Sequence, residues 1–525
     1  MSFAESISVQ ADFSPKGITP SGLQTRTHKL ISNAGSQSIA PNSTLEFSIP
    51  TGGDALLDTN SVSLEFSLLI KETTNAVKTA RMDMSAYPLF QSYTLLHNSV
   101  PLETCTQYPL LANMLLDLSM SFADRACIQG ARLGCMSSMD LASIGNFAVA
   151  GTANPQVFPR GLGKTVSTAL NAAGDTGTYA FDMSAIRWGT TVINTATAAA
   201  TPAALTKVAE FSIPVISGVI GSLATKALPL MSLTGDLRVR FQTNLLERGL
   251  QMTVTNNATE PAAGNYDWAI GDVRLMYKTI HLGGLAEQMR MAFPMPTLAS
   301  TFYGHNSVSV QAGDVQVQKT LSFRYSSLND VFGFHSPSEK SGKTFNPEYS
   351  RRTRNNLTQF AISVGGKYYP SQKLDCTNKG EVLGYLAEAC HVKNKMSWAN
   401  SIVTSSVIFS AANTVIGGVT YQLPEHGDPY FALSGDNADA TGLQVGTAGW
   451  VMNSPFPESF VLAVPTQSFQ HTDSHLLSGV DTLDASVMAE MSYTGGATEQ
   501  CVFHFFAHHD QILSVDAVGQ CSMRY

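Results

Sequence analysis

Apolar and polar residues alternate with a period of two along much of this chain, and no other feature constrains it as much. Leu45, Phe47 and Ile49 alternate with Thr44, Glu46 and Ser48; Val62, Leu64, Phe66 and Leu68 alternate with Ser63, Glu65 and Ser67. The period recurs at Leu237/Val239/Phe241, Val273/Leu275/Tyr277, Val308/Val310, Val315/Val317, Leu321/Phe323/Tyr325 and Phe360/Ile362/Val364. Successive side chains of a strand point to opposite faces, so each run reads as a half-buried strand. Turn residues (PNS, TGGD, HNS, GG, NPE) punctuate the runs. Helical spacing is found in TQYPLLANMLLDLSM, residues 106–120, where Leu111, Leu115 and Leu118 share a face. A shorter and weaker helix is predicted over GEVLGYLAEAC, residues 380–390. The pattern predicts an all-β protein with few helices, built of β-sandwiches.

Size and charge narrow the reading. At 525 residues the chain is too long for one core and predicts two or more domains. Charged residues make up 14% and hydrophobic residues 44%, with a formal net charge of −8. Ample apolar content excludes disorder, and the sign of the charge excludes a basic coat wrapped on phosphate. With so few charges, the surface is either buried in an assembly or covered in Ser, Thr, Asn and Gln. The seven cysteines (Cys105, Cys127, Cys135, Cys376, Cys390, Cys501 and Cys521) are odd in number, widely spaced and free of CxxC. They read as buried thiols of a reducing compartment. The N-terminus has no signal-peptide pattern, so the sequons at Asn42, Asn257 and Asn356 read as chance matches. The most apolar stretch, residues 213–231, contains Pro214, Gly218, Gly221, Lys226 and Pro229 and makes a poor membrane span.

A weak internal repeat runs at about half the chain length. Each half opens with alternating strands, at 44–70 and 308–334. Each continues through strand, turn and helix, carries a long insert, and closes on a strand group. Residues 1–40 are non-periodic and read as an extended arm. The first sandwich is placed at 41–285 with a polar insert at about 120–205. The second is placed at 286–525 with an insert at about 424–455.

No chemistry stands out, and the reading assigns no catalytic, cofactor-binding or metal-ligating residue and no enzyme activity. RGLGKT, residues 160–165, has Phe158 where a phosphate loop needs its first glycine. His504, His508, His509 and Asp510 form the one histidine cluster. His504 would share a strand face with Val502 and Phe506, and His508 and His509 would fall at the strand end. Such a cluster suits Zn²⁺ or a pH switch, or consists of histidines bonded to backbone or facing solvent. Cys390–His391 is adjacent and suits neither chelation nor catalysis, and His471 and His475 read as solvated. Arg351, Arg352 and Arg354 read as a solvated loop before a strand, with a phosphate contact or intersubunit ion pair as the alternative. Lys16, Arg26, His28 and Lys29 are dispersed along the arm, which would touch nucleic acid or lipid, or clip neighbouring subunits. DNADATG, residues 436–442, is the one candidate for a lectin-type Ca²⁺ loop and lacks spaced acidic ligands.

Five segments, in order, resemble one family. They are FQSYTLLHNSVPLETC (90–105), EFSIPVISGVIGSLATKALPLMSLTGDLRVRF (210–241), DVRLMYKTIHLG (272–283), FVLAVPTQSFQHTDSHLLSGVDTLDAS (460–486) and FFAHHDQILSVDAVGQCSMRY (505–525). Ile213-Pro214-Val215, Leu228–Leu233 and Ser478-Gly479-Val480-Asp481 fall at the family's matching places. Asp510 stands where the family often has Asn, and Leu477 precedes Ser478 where it has Pro. The chain resembles double jelly-roll major capsid proteins of the lineage that includes adenovirus hexon, virophages, polinton-like viruses and large DNA viruses. The resemblance implies two consecutive eight-stranded jelly rolls and a pseudo-hexagonal homotrimer tiling an icosahedral shell around double-stranded DNA. It implies inserts that form outward towers and an arm at the inner face, in possible contact with an internal membrane. The implied partners are the chain itself, minor capsid proteins and penton proteins, with no sequence-specific nucleic-acid binding. The implied location is the virion, after synthesis in the host cytosol. The alternative is a two-domain β-sandwich lectin or receptor-attachment protein.

Overall fold

The computed structural model describes residues 23–33, 38–72, 77–81, 85–120, 132–134, 206–224, 226–254, 266–292, 295–337, 349, 352, 354–390, 414–416, 419–421, 460–467, 479–497 and 500–524. The insert segments at 135–205 and 422–459 lie outside them, and with them RGLGKT, DNADATG, Cys135 and the arm up to residue 22. Cys127, His391, His471, His475, Ser478, Arg351 and Lys16 also lie outside.

The first half contributes β1 (Gln24–Ile31), β2 (Thr44–Ile49), β3 (Ala55–Glu72), β4 (Val77–Arg81), β5 (Phe90–His97) and β6 (Val100–Cys105). Helix α1 (Tyr108–Ser119) follows, then β7 (Thr206–Pro214), β8 (Leu237–Thr243), the one-turn α2 (Leu246–Gly249), β9 (Gln251–Val254) and β10 (Tyr266–His281). Helix α3 (Leu285–Ala292) links the halves. The second half contributes β11 (Thr297–Val310), β12 (Gln316–Leu321), β13 (Leu328–Pro337), β14 (Leu357–Val364), β15 (Lys367–Asp375) and α4 (Lys379–Ala389). It ends with β16 (Thr414–Ile416), β17 (Val419–Tyr421), β18 (Leu462–Pro465), β19 (Val487–Tyr493), β20 (Cys501–Val515) and β21 (Cys521–Arg524).

Strand order turns the weak repeat into a plain one. The first half packs the sheet β1-β10-β3-β7 on the sheet β2-β8-β5-β6; the second packs β11-β20-β13-β18 on β12-β19-β14-β15. When the ribbons β4–β9 and β16–β17 and the short β21 are set aside, both halves use the same permutation of eight strands. Each is a jelly roll. The repeat extends to turn chemistry. β5 and β6 join through Asn98 and Ser99, at φ 48 and 72, between the paired His97 and Val100. β14 and β15 join at the same point of the second roll through Gly365 and Gly366, at φ 57 and 84, between Val364 and Lys367. A two-residue hairpin turn of type I′, which matches strand twist, needs positive φ at both central positions, and both halves meet that need.

The inward-facing rows fill each roll. Phe47, Phe90, Tyr93, Tyr108 and Phe241 are buried in the first, with Tyr93 and Tyr108 stacked at 5.8 Å. Phe360, Phe503 and Phe505 fill the second, with Phe360 and Phe503 stacked at 5.6 Å. α1 buries Leu111, Met114 and Leu118, and Pro109 sits in its first turn, where no backbone donor is needed. α4 starts at Asn378, whose side chain accepts from the Glu381 amide. Two readings from alternation shift here. Phe323 and Tyr325 continue the pattern of β12 but lie beyond its end, their segment held instead by Thr482. Gln24–Ile31, inside the stretch read as an arm, forms β1 on the edge of its sheet, paired from Gln24↔His281 to Ile31↔Arg274. Its residues are exposed apart from the half-buried His28 and Leu30, so no apolar row announces it.

Candidate functional site: the seam between the jelly rolls and the two ends of the molecule

The histidine cluster lies within a strand, not at its end. β20 runs from Cys501 to Val515, so His508 and His509 are interior positions, and both faces of the strand are covered. His504 is buried and meets His305 of β11, ring nitrogen to ring nitrogen at 3.0 Å. Burial holds both rings neutral, pushing His305 down to about 4; His504, which also faces His305 and His335, is pushed down to about 3. His509 stacks on Tyr325 with ring centroids 3.6 Å apart, and its Nδ1 donates to the Ala507 carbonyl at 3.1 Å. Its burial lowers it to about 4. His508 Nδ1 meets Asp330 Oδ2 at 3.0 Å, and Asp510 accepts from the Ser327 hydroxyl at 3.1 Å. The four residues serve four separate local networks. Among the described residues no group of three or more His, Cys, Asp and Glu side chains is placed to hold a metal ion.

The arginine cluster also departs from expectation. Arg352 is fully buried rather than solvated, over the Phe334 ring at 5.6 Å. Its guanidinium pairs with Asp117, a buried residue near the end of α1 in the other jelly roll. Sequence alone hides this partner, because Asp117 falls on a Leu-rich helix 235 positions away. One signal was available: a lone carboxylate on a helix otherwise apolar on that side must be neutralised or paired.

This ion pair belongs to a seam that joins the two rolls. At one end, Asn98 Nδ2 donates to Gln520 Oε1 at 2.9 Å, the Thr234 hydroxyl donates to the Val518 carbonyl at 2.8 Å, and the Cys521 amide donates to His97 Nδ1 at 3.2 Å. At the other end, Asn244 Nδ2 donates to the Tyr349 hydroxyl at 2.8 Å, beside the Asp117–Arg352 pair. Between them, Gly218 lies so close to β11 that a Cβ there would stand 2.2 Å from the Thr301 carbonyl oxygen. The half-buried Glu103 of β6 braces this loop. Its carboxylate accepts from the Ser217 hydroxyl and from the Gly218 amide at 3.1 Å. Burial raises Glu103 to about 7. Buried apolar residues of both rolls form one continuous cluster, from Ile39 to Cys521.

Strand direction fixes what each end carries. Gln24 sits opposite His281, and β2 ends with Ile49 opposite Leu237, so the start of β1, the β2–β3 and β5–β6 turns and α3 share one end. The C-terminal turn at Asp516–Gln520 joins them there, and so do the exposed Val100, Val518, Met291 and Met295. β7 enters with Thr206 opposite Ile70, at the far end of β3. The connections from Ser119 to Thr206 and from Ala389 to Leu462 therefore both leave from the opposite end. Because matching ends meet at the seam, the rolls stand side by side and the same way up. Of the arm candidates, Arg26, His28 and Lys29 are positions of β1. Cys390 caps α4; Cys105, Cys376, Cys501 and Cys521 are buried thiols. Gly479 sits where a Cβ would meet the Leu328 carbonyl oxygen at 2.4 Å, and Val480 bridges to Leu328.

No family model matches the sequence, and no curated protein matches it. Solved structures do match. A chain of the Sputnik virophage, determined by cryo-electron microscopy, aligns at 11% identity over 95% of this chain and 88% of that chain, with a TM-score of 0.54. The Faustovirus major capsid protein aligns at 12% identity over 93% and 90%, with a TM-score of 0.49. The mavirus major capsid protein aligns at 12% identity over 97% and 91%, with a TM-score of 0.45. The virophage alignment covers both halves, and what this chain shares with that one is its fold, two jelly rolls in tandem.

Proposed function

We propose that this chain is a major capsid protein: it self-assembles as a pseudo-hexagonal homotrimer, and the trimers tile the icosahedral shell of a double-stranded DNA virus. The observation that carries this reading is the pair of jelly rolls with one strand permutation, locked the same way up across a buried seam. Three such chains around a threefold axis present six similar blocks, a near-hexagonal tile from one gene product. The fold shared with a chain of a virus particle supports it. So does the low share of charged residues, 14%, since Lys, Glu and Asp are depleted where subunits meet.

In this reading the two long connections form the outer face and the start of β1 lies toward the interior. The segment before β1 would meet an internal membrane or neighbouring subunits, and minor capsid and penton proteins would complete the shell in the virion. The work is done by burial and hydrogen bonding, without catalysis. Size-exclusion chromatography with light scattering tests the reading. The expected mass is three times the 56.2 kDa of the chain, with hexagonal outlines in negative stain. A monodisperse monomer over a wide concentration range would overturn it.

A further inference from the structure

Four side chains from three segments make an unbroken polar chain under the N-terminal strand. Asp54, in the β2–β3 turn, meets His281 Nδ1 with its Oδ1 at 2.8 Å. His281 Nε2 lies 3.1 Å from the Thr279 hydroxyl, and that hydroxyl lies 2.7 Å from His28 Nε2 on β1. The His28 ring also stacks on Tyr277, centroids 4.8 Å apart and nearly parallel. Thr279 is buried, and among the described residues β1 is an edge strand with one neighbour, β10. These are the side-chain ties from the interior of the roll to β1 at this point.

For neutral rings the chain of bonds has one consistent set of donors and acceptors. With both imidazoles neutral, His281 Nδ1–H donates to Asp54, the Thr279 hydroxyl donates to His281 Nε2, and His28 Nε2–H donates to the Thr279 oxygen. Each of the three contacts then has one donor and one acceptor. A proton added to His28 places a cation on a ring that is half-buried against Tyr277 and leaves its Nδ1–H needing an acceptor.

We propose that this relay is an acid-sensitive latch: with His28 neutral it holds β1 in the sheet, and protonation of His28 frees β1. The charges around His28 agree. Arg26 of β1 and His281 of β10 both disfavour a cation there, while Asp54 is engaged by His281 and by the Gly283 amide at 3.0 Å. β2, the element packed beside β1, turns the apolar Phe47 and Ile49 inward and directs Glu46 to Arg240 at 2.8 Å. Lys29, Arg274, Lys278, Asp58 and Glu65 occupy register positions on the opposite face of the sheet. Burial first, then His281 and Arg26, hold His28 below the ordinary histidine range. The docked strand therefore favours the neutral ring, and this contribution is full above the ordinary value of 6.5 and lost as pH falls through the lowered one. The latch lies within one chain and does not depend on assembly.

Hydrogen exchange read by mass spectrometry on the full chain tests it, at about pH 7.5 and about pH 5, corrected for the intrinsic rate. Peptides covering Gln24–Ile31 are followed against those covering Leu237–Thr243 of β8. Relative protection of β1 is expected to fall by roughly tenfold or more at the lower pH. His28→Phe, which keeps the stack on Tyr277, should abolish the pH response. His28→Gln, which can still donate to Thr279, should abolish it too and serves if the first variant does not fold. A wild-type β1 with pH-independent protection overturns the latch, and so does an undiminished response in either variant.

Discussion

At the scale of single residues, the seam contains a carboxyl that resists losing its proton. Glu103 titrates at about 7 in the folded chain and near 4.5 when unfolded, because loss of hydration penalises the anion by more than the hydrogen bonds from Ser217 and Gly218 favour it. Between those values the folded state holds a proton that the unfolded state has released. Stability from this group is therefore greatest below 4.5, falls as pH rises to 7, and is level above. Glu103→Gln removes the fall. Denaturant melts should show the variant gaining over wild type at pH 8 relative to pH 5, by up to about 3 kcal/mol. The residues that matter were unevenly legible in sequence. The alternation FHFFA placed His504 on one strand face with Phe506, and the structure keeps it there. It could not place the end of β20, because a strand buried on both faces loses the period on which a boundary depends. Glu103 drew no notice either, since a Glu in an alternating strand reads as solvent-facing and its burial comes from a loop more than a hundred positions away.

At the scale of elements, α1 and the segment before β14 are joined by one buried ion pair, and its energetics separate specificity from strength. Removing one partner takes this counter-charge away from a charge that stays buried, so Asp117→Asn or Arg352→Met is expected to cost about 3–5 kcal/mol. The double variant Asp117→Leu/Arg352→Met exchanges the pair for apolar contact over Phe334 and should recover most of that loss. Thermal or denaturant unfolding of the three variants reads the difference. The non-additivity is the informative quantity; additive losses would mean the two groups act separately. Element by element, the strands with an apolar row were legible, and so were α1 and α4, whose spacing is a local property. β1 was not. Its eight residues are mostly exposed, so its place is set by the backbone ladder to β10 and by the His28 contacts, neither of which leaves a period in the sequence.

At the scale of the whole molecule, the duplication was legible only as an outline, because the halves share strand order and turn geometry rather than residues. Asn98-Ser99 and Gly365-Gly366 do the same work with different chemistry. The seam was invisible for a related reason: Asn98–Gln520, Thr234–Val518 and Asp117–Arg352 join positions hundreds of residues apart, and no single sequence carries their coupling. The common exit of the two long connections has its own consequence. Both are anchored on elements that pack whether or not the intervening chain is long, Ser119 to Thr206 in one roll and Ala389 to Leu462 in the other. The entropy of closing such a loop grows only logarithmically, about 0.6 kcal/mol for each doubling of length. A foreign domain spliced within residues 150–190 should therefore leave the melting temperature within a few degrees of wild type, while one spliced into the Gly365-Gly366 hairpin should not. The described framework is in this sense a chassis: the two connections can change in length and content while the strands that fix its dimensions stay still.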